Sequence, residues 1–499
     1  MSSIARNASA LLRTLAPAAE RRLVPACTCA PVPSSSRLIS STSRQKISSS
    51  GQRKENANPS TLLTEHSVPD GQSISRLEGL MRLGERLSSE ASKIGAVPAR
   101  LRGAGLYEHG QGPPLAQVAE DEELVPLPTE RRMGDSYVQM DLHFSEDSGL
   151  REQYVGGVSK VRMGRLMEDF DSLAGAAAYR YVLPNGADIA QANKYGFYLV
   201  TAAVDRMDLL RSVTNPDGSV PDLRLSAHVS YATSSSLEIF VRMSTIPPAG
   251  SSAESETILL GRFAMACRSA KGGKFVVPAL QVEGVEEHAV WQMGKEMRDG
   301  KKKRSLQSLT KTPPTAEEAS IMHELFISNA SIYDRKCAAP KDVVWMSDTR
   351  INSATLMHPQ ERNVHNKVFG GYLMRIAYET AYSTACLFAR SGVTFVSLDE
   401  LQFAQPVEIG SLLLLDSKVT FSPMIGEHRS FHVSVEAATC DLYTGERKIT
   451  NTFHFTFAAD SPLQRHVLPR SYRQTMQWLD AQRRRAVGIE VRKEYVLAP

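Results

Sequence analysis

Residues 371–381 read GYLMRIAYETA, and residues 164–174 read GRLMEDFDSLA. The two segments share Gly, Leu and Met at their first, third and fourth positions, and both end on Ala. Each opens an apolar stripe at 3.6-residue spacing. One stripe is Leu166, Phe170, Leu173, Ala174 and Ala177; the other is Leu373, Ile376, Ala377, Thr380, Ala381 and Thr384. That spacing predicts helices over Met163–Tyr179 and Gly371–Ala389. A second local match follows each helix: VDRMDL at Val204 and LDELQF at Leu398. The chain therefore reads as two related halves.

Around each helix the apolar period switches to two, the period of a strand. Val138, Met140, Leu142 and Phe144 alternate ahead of the first helix. Strands are expected after it at Tyr198–Val204, Leu223–Tyr231, Leu237–Met243 and Ile258–Cys267. In the second half a strand near Ile351–Met357 precedes the helix. Strands at Val393–Leu398, Leu412–Thr420, Ser430–Ala438 and Ile449–Phe457 follow it, the last with Phe453, Phe455 and Phe457 in strict alternation. Each half, 131–278 and 346–460, thus reads strand, helix, four strands. That is an α+β unit, an antiparallel sheet wrapped over one helix. Residues 279–345 break the pattern with the basic run Lys301–Arg304 and the pair Pro313-Pro314. They read as a solvated linker, in preference to a nuclear signal. Residues 461–499 form a charged tail with helical potential around Gln474–Val487. Residues 51–130 are polar, with one amphipathic helix marked by Ile74, Leu77, Leu80, Met81 and Leu87.

The 499 residues contain no apolar run of eighteen, so no membrane span is expected. The net charge is +4, yet residues 1–50 hold seven Lys or Arg against the single acid Glu20, a local +6 that leaves −2 for the rest. A body so near neutral gives no basic field for nucleic acid. The same fifty residues are rich in Ser and Ala, the composition of an organelle transit peptide; a disordered tail is the alternative. The six cysteines form no CxxC pair, which suggests neither a zinc site nor a disulfide framework.

Chemistry concentrates in HPQERNVHNKVFGGYLMR, His358 to Arg375. Gly370-Gly371 opens the second helix. Glycines there admit close approach to the backbone, and the unpaired N–H groups of a first turn can face a carbonyl oxygen that becomes an oxyanion. Tight packing is the competing explanation for such a pair. NVHNKVFGG, followed by a small-residue helix and LDELQFAQPVEIGSLL, resembles the hotdog-fold acyl-coenzyme A thioesterases of the mitochondrial two-domain type, from about Arg131 into the C-terminal tail.

The resemblance implies a tandem double hotdog that hydrolyses acyl-coenzyme A in the mitochondrial matrix, with no metal or redox cofactor. It also implies a homo-oligomer, a trimer of double-hotdog chains. In that family the catalytic pair is an Asn eight positions before the second glycine and an acid seven after it. Counting from Gly371 gives Asn363, which matches, and Tyr378, which does not. Counting from Gly164 gives Gly156, which does not match, and Asp171, which does. The implied site is a single composite of Asp171 as base or nucleophile, Asn363, and the Gly371 N–H. Gly370, Asn366, Arg362, Lys367 and Arg375 are candidates for holding substrate, the cations through its phosphates. Alternatives stay open: a solvated acidic face for Glu168, Asp169 and Asp171, and an Asx-turn or N-cap role for Asn363. No GxSxG, GxGxxG or Walker pattern occurs. The rival functions are a non-catalytic acyl-coenzyme A-binding or scaffold protein, and a hotdog hydratase or dehydratase. The second would want a histidine that the first glycine loop lacks.

Overall fold

The computed structural model describes residues 76–94, 126–156, 161–187, 192, 195–215, 217–248, 250–251, 254–334, 340–363, 367–424 and 429–496. The expected transit segment, 1–50, and most of 51–130 lie outside them. Ten strands form one sheet: β1 Val138–Leu142, β2 Phe197–Leu209, β3 Leu223–Ala232, β4 Ser236–Thr245, β5 Thr257–Ser269, β6 Ile351–Leu356, β7 Val393–Gln402, β8 Leu412–Phe421, β9 Ser430–Cys440 and β10 Arg447–Ala459. The longer helices are α1 Arg76–Ile94, α2 Met163–Val182, α3 Gly284–Leu306, α4 Ala316–Ser328, α5 Gly370–Ala389 and α6 Tyr472–Val496. The strand order is β1-β3-β4-β5-β2-β7-β10-β9-β8-β6, with antiparallel pairing throughout. The second half of that order mirrors the first, and the two meet at the β2–β7 seam.

Alternation explains which face is buried. Leu237, Ile239, Val241 and Met243 of β4 are fully buried, as are Phe453, Phe455 and Phe457 of β10. They meet the stripes of α2 and α5, where Leu166, Phe170, Leu173, Ala174 and Ala177 are likewise buried. The two helices run antiparallel with their N-terminal halves overlapping. A Cβ on Gly371 would lie 3.0 Å from the Glu168 Cα, and one on Gly164 would lie 3.3 Å from the Arg375 carbonyl oxygen. The repeat extends to details. The hydroxyls of Ser136 and Thr349 donate to the carbonyls of Met133 (2.6 Å) and Met346 (2.8 Å). They accept the N–H groups of Val229 (2.9 Å) and Val419 (3.0 Å).

Two readings change. β2 and β7 run past their expected ends to Leu209 and Gln402. The extra turns carry Arg206, Asp208 and Asp399, charges that look like loop. They are buried and pair with one another: Arg206 bonds Asp208 at 2.7 Å and Asp399 at 2.5 Å across the seam. Residues 279–345, read as a solvated linker, are largely helical, and part of the segment packs on the rest of the chain. α3 packs on α1 and on β3, with Gly294 against the Tyr231 Cβ and Val290 fully buried. Only Glu287, Val290, Met293 and Gly294 of α3 are buried, a stripe too thin to show as periodicity. The basic run is the last turn of this helix. Among the described residues, no helix is long and apolar enough to cross a membrane.

Candidate functional site

The heads of α2 and α5 occupy equivalent places in the two halves, and their surroundings differ. At the head of α5 the N-cap residue is Phe369, whose side chain makes no capping hydrogen bond. The first-turn N–H groups therefore have no intrahelical acceptor, and the helix dipole places partial positive charge there. Gly371 packs against the Phe369 ring and the Glu168 backbone, so close helix packing does require a glycine. Gly370 faces something else. Its missing Cβ would lie 3.0 Å from Oδ2 of Asp171 and 3.2 Å from the Phe403 ring.

Asp171 is 2% exposed. Its Oδ1 accepts the Thr201 hydroxyl at 2.8 Å, while Oδ2 has no hydrogen-bond partner among the described residues. Burial raises its pKa to about 6; the Thr201 hydroxyl and the Gly371 N–H pull it down, and the nearby Glu168 charge pushes it up. A buried carboxylate oxygen without a donor is costly to maintain, and it is basic toward any water that reaches it. Asp171 is not part of a solvated acidic face. Nor are its neighbours: Asp169 accepts the Tyr154 hydroxyl at 2.6 Å and is buried, and Glu168 sits between Arg165 (2.7 Å) and Arg375 (3.2 Å).

The loop into α5 is tied down by backbone. Val368 N–H donates to the Val407 carbonyl at 2.9 Å and Phe369 N–H to the Glu361 carbonyl at 2.8 Å. Asn363 N–H donates to the Lys367 carbonyl at 2.6 Å, and the Asn363 side-chain oxygen accepts the Lys367 N–H at 3.1 Å. Asn363 thus holds the turn, the role its residue type also allows. Asn366 and His365 lie outside the described residues. Among the cations, Lys367 is bound by Glu408 at 2.6 Å, Arg375 by Glu168 and by Glu379 at 3.4 Å, and Arg362 is half-buried in the loop. The structure therefore brings Asp171 onto Gly370 and Gly371, and it engages Lys367 and Arg375 with carboxylates.

At the head of α2 the surroundings are apolar. Gly164 faces Tyr378, whose ring lies 3.2 Å from the missing Cβ. Tyr378 is buried between Phe395 and Phe455 (each 5.8 Å between centroids) and Phe457 (5.9 Å), and burial pushes its phenol far up. The segment matches place Tyr378 opposite Asp171 and Phe395 opposite Thr201. The polar Asp171–Thr201 contact of one end is an edge-to-face ring pair at the other. Sequence reading missed Thr201. The signal was its place three residues before VDRMDL, where the second half carries Phe395. Among the described residues no cluster of His, Cys, Asp or Glu is placed to hold a metal.

No family model matches the chain. It is 34% identical over 377 residues to mitochondrial acyl-coenzyme A thioesterase 9 of Homo sapiens, covering 74% of this chain and 82% of the relative. It is 32% identical over 380 residues to mitochondrial acyl-coenzyme A thioesterase 10 of Mus musculus, with the same coverage. A solved acyl-CoA hydrolase from Staphylococcus aureus, in complex with butyryl coenzyme A, coenzyme A and coenzyme A disulfide, is 26% identical. It aligns with a TM-score of 0.28 over 31% of this chain and 98% of that one.

Proposed function

Since the chain belongs to the acyl-coenzyme A thioesterase family, we propose that it works through one composite site, shared by two tandem hotdog domains at 131–278 and 346–460. The chain hydrolyses acyl-coenzyme A to free acid and coenzyme A, and it is a mitochondrial enzyme, as its relatives are named. The single observation that carries the composite site is the buried Oδ2 of Asp171, without a hydrogen-bond partner among the described residues, set against Gly370 at the head of α5.

In this reading the thioester carbonyl oxygen points at the Gly371 N–H. Asp171 takes a proton from a water that attacks the carbonyl carbon. The oxyanion then forms where the N–H groups and the helix dipole meet it. Collapse expels the coenzyme A thiolate, and the proton held on Asp171 returns to it. A pKa of about 6 leaves Asp171 mostly ionised above neutral pH and still basic enough to act. Thr201 fixes the carboxylate through Oδ1 and leaves Oδ2 for the water. Asn363 shapes the loop and orients the water or the carbonyl; Asn366 is kept as a second amide of that loop. Gly370 leaves room for the thioester. Lys367 and Arg375, held by Glu408 and Glu168, serve the loop and the helix pair more than phosphate, and Arg362 pairs through its backbone with Val368 of the same loop.

The matrix is the compartment we assign, with residues 1–50 as the import segment, cleaved between about Arg37 and Ser50. A homo-oligomer, a trimer of such chains, completes the reading. Exposed Leu442, Tyr443 and Ile449 on the β9–β10 hairpin give it an apolar surface to use. The test is thiol release by residues 51–499 from short, medium and long acyl-coenzyme A substrates. Turnover with at least one length is expected; no thiol release with any length refutes the function.

A further inference from the structure

A cleft that the hydrolytic step leaves unused opens where the β2–β7 seam ends. Its volume is about 370 Å³, within the range of small-molecule sites. Ala202 and Gln402 line it from the two strands, and Arg298, Lys301, Lys302 and Ser305 line it from the last turns of α3. No carboxylate is among its lining residues. Lys301 is held by Asp205 at 2.7 Å. Arg298 lies 6.0 Å from the Tyr231 ring centre, and neither it nor Lys302 forms an ion pair with a described residue. Two exposed cations, Lys302 and Arg298, the second also drawn toward Glu238, stand over a partly apolar floor and match a phosphorylated ligand.

The position of the cleft matters as much as its charge. The last pair of the seam is Gln402 with Ala203, and Phe403 N–H then donates to the Ala202 carbonyl at 3.1 Å. The adjoining residues Thr201 and Phe403 are those that touch Asp171 and Gly370. Cleft and carboxylate thus meet the same strand ends from opposite faces of the sheet, Thr201 turned to α2 and Ala202 to α3, one residue apart along the chain. The other end of the seam is closed. There Arg492 of α6 donates to the carbonyls of Leu209 (3.1 Å) and Val396 (3.0 Å), and Tyr378 fills the helix head beneath. The open end, the cations and the one polar helix head coincide.

We propose that this cleft, built by the segment between the two halves, binds the phosphorylated adenine nucleotide end of coenzyme A. The proposal rests on the thioesterase reading. The pantetheine arm would enter at the end of the seam and bring the thioester to Asp171 and the head of α5. Specificity for coenzyme A over shorter thiol carriers would then come from α3, outside both repeats.

The test is the double variant Arg298→Gln with Lys302→Gln in the full chain. Both side chains are exposed and neither belongs to the reacting centre. Titration calorimetry with adenosine 3′,5′-bisphosphate should show binding to the unaltered protein, weakened by roughly 10–100-fold in the variant, the scale of losing one or two charged hydrogen bonds. KM for butyryl-coenzyme A should rise by a similar factor with kcat unchanged, while hydrolysis of butyryl-pantetheine stays equal in both proteins. The bisphosphate should inhibit hydrolysis competitively. Absence of bisphosphate binding, equal binding in the variant, an unchanged KM, or non-competitive inhibition would each overturn the assignment. If neither thioester is hydrolysed by the unaltered protein, the thioesterase reading fails, and the calorimetry alone decides the nucleotide site.

Discussion

Asp171→Asn should make the protein more stable as pH rises, while removing its proposed base. The Asp171 pKa is raised from 3.8 to about 6 in the folded chain, chiefly by burial. A carboxyl raised in this way favours folding while it is protonated. That contribution is complete below pH 3.8 and is lost as pH climbs through about 6, because the unfolded chain ionises first. The shift of about 2 pH units corresponds to about 3 kcal/mol at pH 8, taking 1.36 kcal/mol per unit. Asn cannot ionise, so the variant escapes this loss. It adds a donor where Oδ2 stood, but that cost does not vary with pH. The informative quantity is therefore the change in the stability difference between variant and parent. From pH 4 to pH 8 it should grow in favour of Asn by about 2–3 kcal/mol, read from urea unfolding at matched ionic strength. A difference flat across that range would refute the buried, raised-pKa assignment for Asp171.

Further outcomes follow from the same geometry. Thr201→Ala removes the hydrogen bond that favours the charged carboxylate, so the acid limb of the pH–rate profile should move to higher pH, and Thr201→Ser should restore it. Gly371→Ala places a Cβ 2.6 Å from the Phe369 ring and 3.0 Å from the Glu168 Cα. It should cost about 1–3 kcal/mol of stability and most of the turnover, measured by unfolding and thiol release. Tyr378→Phe should leave kcat/KM unchanged, because its ring fills space where no chemistry remains. A large loss there would show that the second helix head still works.

The elements that were legible are those with a clean period. The stripe from Leu166 to Ala177 and the alternation from Phe453 to Phe457 each name one buried face, and the structure places them inside. Arg206, Asp208 and Asp399 hid the ends of β2 and β7, because charge reads as surface until its partners across the seam are known. α3 hid for the opposite reason, as a long helix that buries one thin stripe. At the site, counting from Gly164 reached Asp171 and counting from Gly371 reached Asn363; that Asp171 would meet the other half's helix head came from the resemblance, because spacing along one helix does not say what packs against it. Thr201 was legible only through the internal match that sets it opposite Phe395, since its own neighbourhood does not mark a strand residue that bonds a helix thirty positions earlier. The counts from Gly164 and Gly371 left Gly156 and Tyr378 as mere mismatches. Only packing explains the second of them: Tyr378 and Phe395 turn the duplicate site into core.

The central claim is that one carboxylate from the first half acts at the helix head of the second. Its most direct test is the turnover of Asp171→Asn with a coenzyme A thioester, measured beside the affinity for a non-hydrolysable analogue. The account predicts a fall in kcat of roughly 10²–10⁴-fold, the usual worth of a general base, with analogue affinity nearly unchanged. Turnover within about threefold of the unaltered protein, in a variant that folds and binds, would contradict it.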